Sequence, residues 1–419
     1  MPLKIIRRHY NCWESARKRT TYFPRSQSPD SPLNRKMSTF AAMRIAVNTR
    51  FLLPSKMEGF GWYTFETVQR LVEKHPEHTF IFFFDRPYEE RFVFGPNVIP
   101  VVLRPPARHP LLFILWFEIA VHRALKRYKA DVFFSPDGYL SLRSKVPQIP
   151  VIHDLNFEHF PQDLPWSARI YLRHFFPKFA KKAAHILTVS GYSKQDIVQT
   201  YNLSPEKITV AWNGASEAFQ PLPTALKLEI QQAYANGAPY FLFVGALHPR
   251  KNVGRLLQAF ELYRQSAGAT HHLVIVGENL WKTHGIDVEI SPETKKHIHF
   301  TGHLPLETLT QVTGAASCLA FVPYFEGFGI PIIEAMRCGT PVIAGNLTSL
   351  PEVAGEAALY CDPMDVDAIA AALVKISNDP ALRERLSELG TARAKLFSWD
   401  HTATAIWSCI EQVSAQHLE

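Results

Sequence analysis

The sequence predicts an α/β protein with two doubly wound, Rossmann-like domains facing each other across a cleft. Three observations carry this. Short apolar runs alternate with helix-period segments from Met43 almost to the C-terminus. The runs are continuous, as in "TFIFFFD" and "HHLVIVG", which marks strands of a parallel sheet covered on both faces. At 419 residues the chain also exceeds one ordinary core, so two domains are expected.

Taken in order, "RIAVNTRFL" reads as a strand and "FGWYTFETVQRLVEKH" as a helix with Tyr63, Val68, Leu71 and Val72 facing inward. "TFIFFFD" is a buried strand, "LLFILWFEIAVHRALKRY" a helix, and "ADVFFSP" and "IPVIHD" are strands. "HILTVS" follows a long basic helix, and "KITVAWNGA" is a further strand. The stretch 214–238, with Gly214, Pro221, Pro223 and Asn236-Gly237, reads as turns and a hinge. After it the alternation restarts with "PYFLFVG", the helix "NVGRLLQAFELYRQ", and the strands "HHLVIVG", "HIHFTG", "CLAFVP" and "TPVIA". Three amphipathic helices close the chain. The domains are therefore placed at 43–225 and 226–399, and ligands are expected in the cleft, beyond the carboxyl ends of the strands.

Charge excludes one function class. Residues 1–42 carry nine cations (Lys4, Arg7, Arg8, Arg17, Lys18, Arg19, Arg25, Arg35, Lys36) against Glu14 and Asp30, which accounts for the whole net charge of +7. The remainder balances, so no nucleic-acid partner is expected. The Arg- and Ser-rich leader has the composition of a transit peptide. It is read here as a disordered extension or a start placed too early, since Met37 and Met43 both precede the first strand. The five scattered cysteines form no metal spacing and suit reduced thiols in a cytoplasm. The most apolar run, "LLFILWF", is far short of the roughly 20 residues that span a bilayer.

Unusual residues gather where strands end. "FLFVGALHPRKN" presents Arg250 and Lys251 just before a helix, an arrangement suited to an anion such as a diphosphate, or else a solvated pair. The spacing is neither GxGxxG nor a P-loop. "MEGFGWYT" places Gly59 and Gly61 between a strand and its helix, where backbone can approach a ligand or simply turn tightly. "PVIHDLNFEHFP" sets His153 at a strand's carboxyl edge, with Asp154 beside it to fix its tautomer. A satisfied core histidine is the plainer alternative. "EGFGIPIIE" reads as a turn followed by a helix starting near Pro331, with Glu326 in the turn and Glu334 in the first helical turn. Two carboxylates suit a glycosidase pair, or a grip on sugar hydroxyls. Sequence alone leaves both open.

Together these segments resemble retaining glycosyltransferases of family 4, which have the two-domain GT-B fold. The resemblance rests on the "GFG" turn, "HDLNFEHFP", "TVSGYSKQDI", "FVGALHPRKNVGRLLQAF", "HFTGHLPLETL", "VPYFEGFGIPIIEAMRCGTPVIAG" and "SLPEVAGEAALYCDP", in the family's order over about residues 43–400. It implies that Arg250 and Lys251 bind the donor diphosphate. Glu326 and His153 would touch the transferred sugar, with Asp154 alongside, and Glu334 the ribose. Gly59 and Gly61 would approach the diphosphate, Gly327, Phe328 and Gly329 would close backbone on the ligand, and His303 and Leu304 would lie near the base. Ser190 falls on a serine motif at the cleft. Helix 400–419 would pack back on the N-terminal domain.

The implied reaction moves a hexose, mannose or glucose, from a nucleotide diphosphate sugar to an acceptor hydroxyl with retained configuration. The acceptor would be a saccharide or lipid-linked, as in surface polysaccharide or glycolipid synthesis. No cofactor is implied and no metal motif is present, the cations taking a metal's place. A sugar-nucleotide epimerase or a catalytically silent sugar-nucleotide-binding module are the alternatives on this scaffold. The basic helix "ARIYLRHFFPKFAKKAAH" offers a peripheral membrane contact for a cytoplasmic protein, or only a solvated face.

Overall fold

The computed structural model describes residues 42–53, 57, 59–107, 109–278 and 288–417. The basic leader lies outside the described residues except for Ala42.

The first sheet has the order β3-β2-β1-β4-β5, all parallel: β1 (Arg44–Asn48), β2 (Thr79–Phe84), β3 (Val98–Val102), β4 (Val132–Ser135) and β5 (Gln148–Pro150). The parallel pair β6 (Ile186–Thr188) and β7 (Ile208–Val210) extends it through a bridge between Val151 and Leu187. β2 shows why the run is continuously apolar. Phe80, Phe82 and Phe84 pack into one layer while Ile81 and Phe83 pack into the other, so both faces are covered.

The second sheet has the order β10-β9-β8-β11-β12-β13. Its strands are β8 (Tyr240–Val244), β9 (His272–Val276), β10 (Ile298–Gly302), β11 (Cys318–Phe321), β12 (Val342–Gly345) and β13 (Leu359–Cys361), again all parallel. In both sheets the order reverses beside the first strand of the unit, the topological switch point where a crevice opens.

Two sequence expectations change. The stretch 214–238 is not only turns, since Thr224–Ala235 is a helix packed on the helix Leu306–Ala315 and the edge of the second sheet. Its weak amphipathic pattern and flanking Pro223 and Asn236-Gly237 hid it. Gly59 and Gly61 sit not in a turn but in the first turn of the helix Gly59–Lys74. That helix buries Tyr63, Val68, Leu71 and Val72, as the period predicts.

The helix Trp399–Ala415 lies on the helix Gly59–Lys74. Trp407 stacks on His75, Trp399 meets Tyr63 edge-on, and Asp400 pairs with Lys74 and Arg70. The chain thus passes between the halves twice, near 211–218 and near 397–400. The two passages touch: Thr402 Oγ1 donates to the Trp212 carbonyl, and a Cβ on Gly214 would meet the Trp399 nitrogen.

Candidate active site

After β8 the chain makes a single turn, Pro249–Lys251, and then the helix Val253–Gln265. His248 caps that turn, its Nδ1 accepting from the Arg250 N–H at 3.3 Å. Burial and the neighbouring Arg250 and Lys251 push the His248 imidazole down to about 4, so it is neutral at pH 7. Asn252 follows in a left-handed conformation, and its side-chain amide donates to the carbonyls of Val322 (2.9 Å) and Pro363 (2.6 Å). Those bonds tie the cation turn to the loops after β11 and β13. Arg250 and Lys251 are therefore aimed by the fold, not merely adjacent in sequence.

The loop after β11 supplies their counter-charge. Glu326 Oε2 accepts from Arg250 Nη1 at 2.9 Å and from Lys251 Nζ at 2.5 Å. Arg250 also donates to the Phe325 carbonyl at 3.2 Å and stands 3.9 Å from Asp154 of the other half. Burial by itself would raise the Glu326 carboxyl, but Arg250 and Lys251 outweigh it and hold the group below the ordinary carboxylate range. Burial likewise pulls the Arg250 guanidinium down, and Glu326 and Asp154 overcome it. A carboxylate held ionised by two cations is ill suited to act as the general acid of a glycosidase pair.

Glu334 lies in a different environment. It is the fifth residue of the helix Ile330–Arg337, one residue deeper than the spacing suggested, because the helix begins at Ile330. Its carboxyl has no partner among the described residues, and burial pushes it up to about 7. A buried acceptor group with no partner among the described residues gains most from a ligand's hydroxyl donors.

The N-terminal half contributes His153 and Asp154. The His153 ring is held edge-on by Phe60 and Tyr63, at centroid distances of 4.9 and 4.7 Å, beside the first turns of the helix Gly59–Lys74. Its Nε2–H donates to the Pro136 carbonyl at 2.8 Å. Burial lowers its pKa, so the ring is neutral at pH 7.

Other predicted residues have different roles. Ser190 is fully buried and caps the helix Gly191–Tyr201, and its hydroxyl donates to the Gly327 carbonyl at 2.7 Å, so it joins the halves instead of meeting a ligand. Gly327 is needed for the same contact, since a Cβ there would stand 2.2 Å from the His153 carbonyl oxygen. Phe328 is buried with its ring edge on Phe397, which leaves only its backbone for a ligand. Gly329 takes φ 99° as the cap of the following helix. Around Gly59 a Cβ would meet nothing within 4 Å, whereas at Gly61 it would meet the Phe51 carbonyl at 2.7 Å. Gly59 faces open space, and Gly61 serves a close approach within its own half. His303 (exposed) and Leu304 follow β10, outside the bonded cluster.

Sequence reasoning missed Asn252 and Glu352, although both stand inside the quoted motifs. Glu352 spans the halves: its two oxygens accept from the Gly191 N–H (2.8 Å) and the Tyr192 N–H (3.0 Å) at a helix N-terminus, and one also accepts from the Trp212 indole (2.8 Å). Tyr324 donates across the cleft to Asp163 at 2.6 Å.

Comparison with known proteins identifies the family and the fold. The family profile described as Glycosyltransferase Family 4 matches residues 57–219, and that of Glycosyl transferases group 1 matches residues 227–393. The O-antigen chain mannosyltransferase B of Escherichia coli is 33% identical over 302 residues, covering 71% of this chain and 79% of that protein. The chain belongs to glycosyltransferase family 4. The O-antigen chain mannosyltransferase RfbU of Salmonella typhimurium is 29% identical to this glycosyltransferase over 288 residues, 68% of this chain and 76% of the relative. Among solved structures, the sucrose-phosphate synthase of Thermosynechococcus elongatus superposes with a TM-score of 0.71 at 20% identity, over 89% of this chain and all of the other. The architecture is the GT-B fold. No helix among the described residues is long and apolar enough to cross a membrane.

Proposed function

We propose that the enzyme transfers a mannosyl group from a nucleoside diphosphate mannose to a saccharide hydroxyl, with the anomeric configuration retained, in the assembly of a surface polysaccharide. The observation that carries the sugar is the 33% identity to an O-antigen mannosyltransferase. The cluster of Arg250, Lys251, Glu326, His153 and Asp154 supplies the chemistry.

As the bond from the anomeric carbon to the phosphate oxygen breaks, negative charge grows on the β-phosphate. Arg250 and Lys251 stand ready to receive it, in a partly buried site where charge stabilisation is worth more than in bulk. This assigns them the role a metal plays elsewhere, so transfer should persist in chelator. Glu326, His153 and Asp154 hold the transferred sugar, and Glu334 accepts from the ribose hydroxyls. The departing diphosphate takes the acceptor's proton on the same face. No cofactor enters this scheme.

Incubation with a panel of nucleotide sugars, followed by nuclear magnetic resonance of the product anomer, tests it. Release of nucleoside diphosphate from a mannose donor with an α-linked product is expected. Conversion of the donor sugar without acceptor consumption would instead establish epimerisation, and donor binding without turnover a silent module.

Access to a lipid-linked acceptor is favoured by the helix Trp166–Lys182. Trp166 (69%) and Ile170 (57%) are exposed beside the exposed Arg173, Lys178, Lys181 and Lys182. Co-sedimentation with anionic vesicles, lost at high salt, is expected, and no binding at low salt would remove this contact.

A further inference from the structure

One buried charge pair has no part in the reaction as described. Arg50 and Asp137 meet at 2.6 Å with side chains only 4% and 2% exposed. Such pairs seldom add net stability over an apolar replacement, which makes a positioning role worth testing here. Around it the network is closed. Asp137 Oδ1 accepts from Asn48 Nδ2 (2.8 Å) and from the Tyr139 N–H (3.3 Å), and the single Ser135 hydroxyl proton lies between the Tyr139 carbonyl (2.6 Å) and Asp137 Oδ1 (3.0 Å). The Arg50 guanidinium sits over the rings of Tyr139 (4.3 Å), Phe51 (4.8 Å) and Phe113 (5.0 Å). Every bond converges on the turn after β4, residues 135–139. Within that turn is Pro136, whose carbonyl receives the His153 Nε2–H.

A carbonyl can only accept, so His153 must carry its proton on Nε2. In the neutral ring Nδ1 is then a lone pair, and it has no hydrogen-bond partner among the described residues. The geometry points to Asp137 and Arg50 as a positioning pair for His153: by fixing the 135–139 turn they hold the imidazole in the Nε2–H tautomer, so that Nδ1 accepts from a hydroxyl of the bound sugar. The hydroxyl's identity rests on the sugar-transfer reading above; the tautomer does not. A different or mobile turn would let the ring flip and present an N–H where the hydroxyl's own hydrogen must point.

The test is tautomer-resolved nuclear magnetic resonance of the full-length protein labelled with 15N-histidine, with His153→Gln identifying its signals by subtraction. The wild type is expected to show His153 as the Nε2–H tautomer at pH 7–8. Asp137→Asn leaves Arg50 buried without its charge partner and risks misfolding. The double variant Arg50→Met with Asp137→Leu removes both charges and keeps the volume apolar. In it a mixed tautomer and a fall in kcat of about 10²-fold are expected, the scale of a small misplacement of a reacting group, with a smaller change in donor KM. An Nδ1–H tautomer in the wild type overturns the proposal, as does a folded double variant with unchanged tautomer and kcat. If no mannose donor is turned over, the sugar assignment falls alone, because the tautomer is read without turnover.

Discussion

Ser190 in the N-terminal half donates its hydroxyl to the carbonyl of Gly327 in the C-terminal half at 2.7 Å. Ser193 reaches the same Gly327 carbonyl across the junction at 3.3 Å, and within its own half it lies 3.0 Å from the His153 carbonyl. The two halves of the cleft are thus joined through the Gly327 carbonyl, one residue from Glu326, so the Arg250–Lys251–Glu326 cluster and His153 share one frame.

Gly327→Ala should damage catalysis more than stability. The added methyl would stand 2.2 Å from the His153 carbonyl oxygen, so the loop or the whole half must withdraw. A fall in kcat/KM of about 10²-fold is expected, with a modest change in melting temperature. Steady-state kinetics beside small-angle scattering checks this, and a wild-type rate in the variant would show that the halves do not seat on Gly327.

Arg250→Ala and Lys251→Ala should each reduce kcat by about 10²–10³-fold, the usual loss when one preorganised stabiliser of developing charge is removed. Lys251→Arg should restore less than charge alone predicts, because Nζ lies 2.5 Å from Glu326 and a planar guanidinium cannot occupy the same position. Single-turnover rates with saturating donor separate this from weakened binding.

Glu326→Ala should change rate and product affinity in opposite directions. With the carboxylate gone, Arg250 and Lys251 lose their internal counter-charge, and free nucleoside diphosphate should bind about tenfold tighter or more, since one unit charge at this range is worth on the order of 1–4 kcal/mol near a protein surface. At the same time kcat should fall, because the sugar loses a partner. Calorimetry for the diphosphate and kinetics for the donor read the two effects, and weaker diphosphate binding would contradict the assignment.

The proposed contact of Glu334 with ribose should tie nucleotide binding to pH. Burial raises its carboxyl to about 7 from an ordinary 4.5, so the folded chain keeps a proton that the unfolded chain has already released. Its contribution to the ligand-free protein is therefore most favourable below about 4.5 and is lost as pH rises through 7. Ribose hydroxyls that donate to the carboxylate favour the charged form, so binding at pH 7 should release protons and affinity should rise with pH through that range. Calorimetry in two buffers of different ionisation enthalpy measures the release, which Glu334→Gln should abolish.

Much of the architecture was legible because burial writes itself into sequence. Continuous apolar runs such as Phe80–Phe84 require cover on both faces, and a 3.6-residue period marked Tyr63, Val68, Leu71 and Val72. The helix Thr224–Ala235 escaped because it buries only Ile230 and Ala235, too little to impose a period. Arg250, Lys251, Glu326 and Glu334 stood out because charged or turn-forming residues at the ends of buried strands have no packing reason to be there.

Sequence by itself determined the parallel α/β units, the family and the charged residues that gather at strand ends, since local pattern and charge depend on near neighbours along the chain. The tertiary structure alone decided that Glu326 pairs with both cations while Glu334 has no partner among the described residues, that Ser190 and Gly327 join the halves, and that the Arg50–Asp137 pair sits in the turn whose Pro136 carbonyl meets His153. Each of those facts is a distance between residues far apart in the chain, and only the packing of the two sheets sets it. The burial that raises Glu334 and lowers His153 arises in the same way, because desolvation belongs to the assembled cleft and not to any segment of sequence.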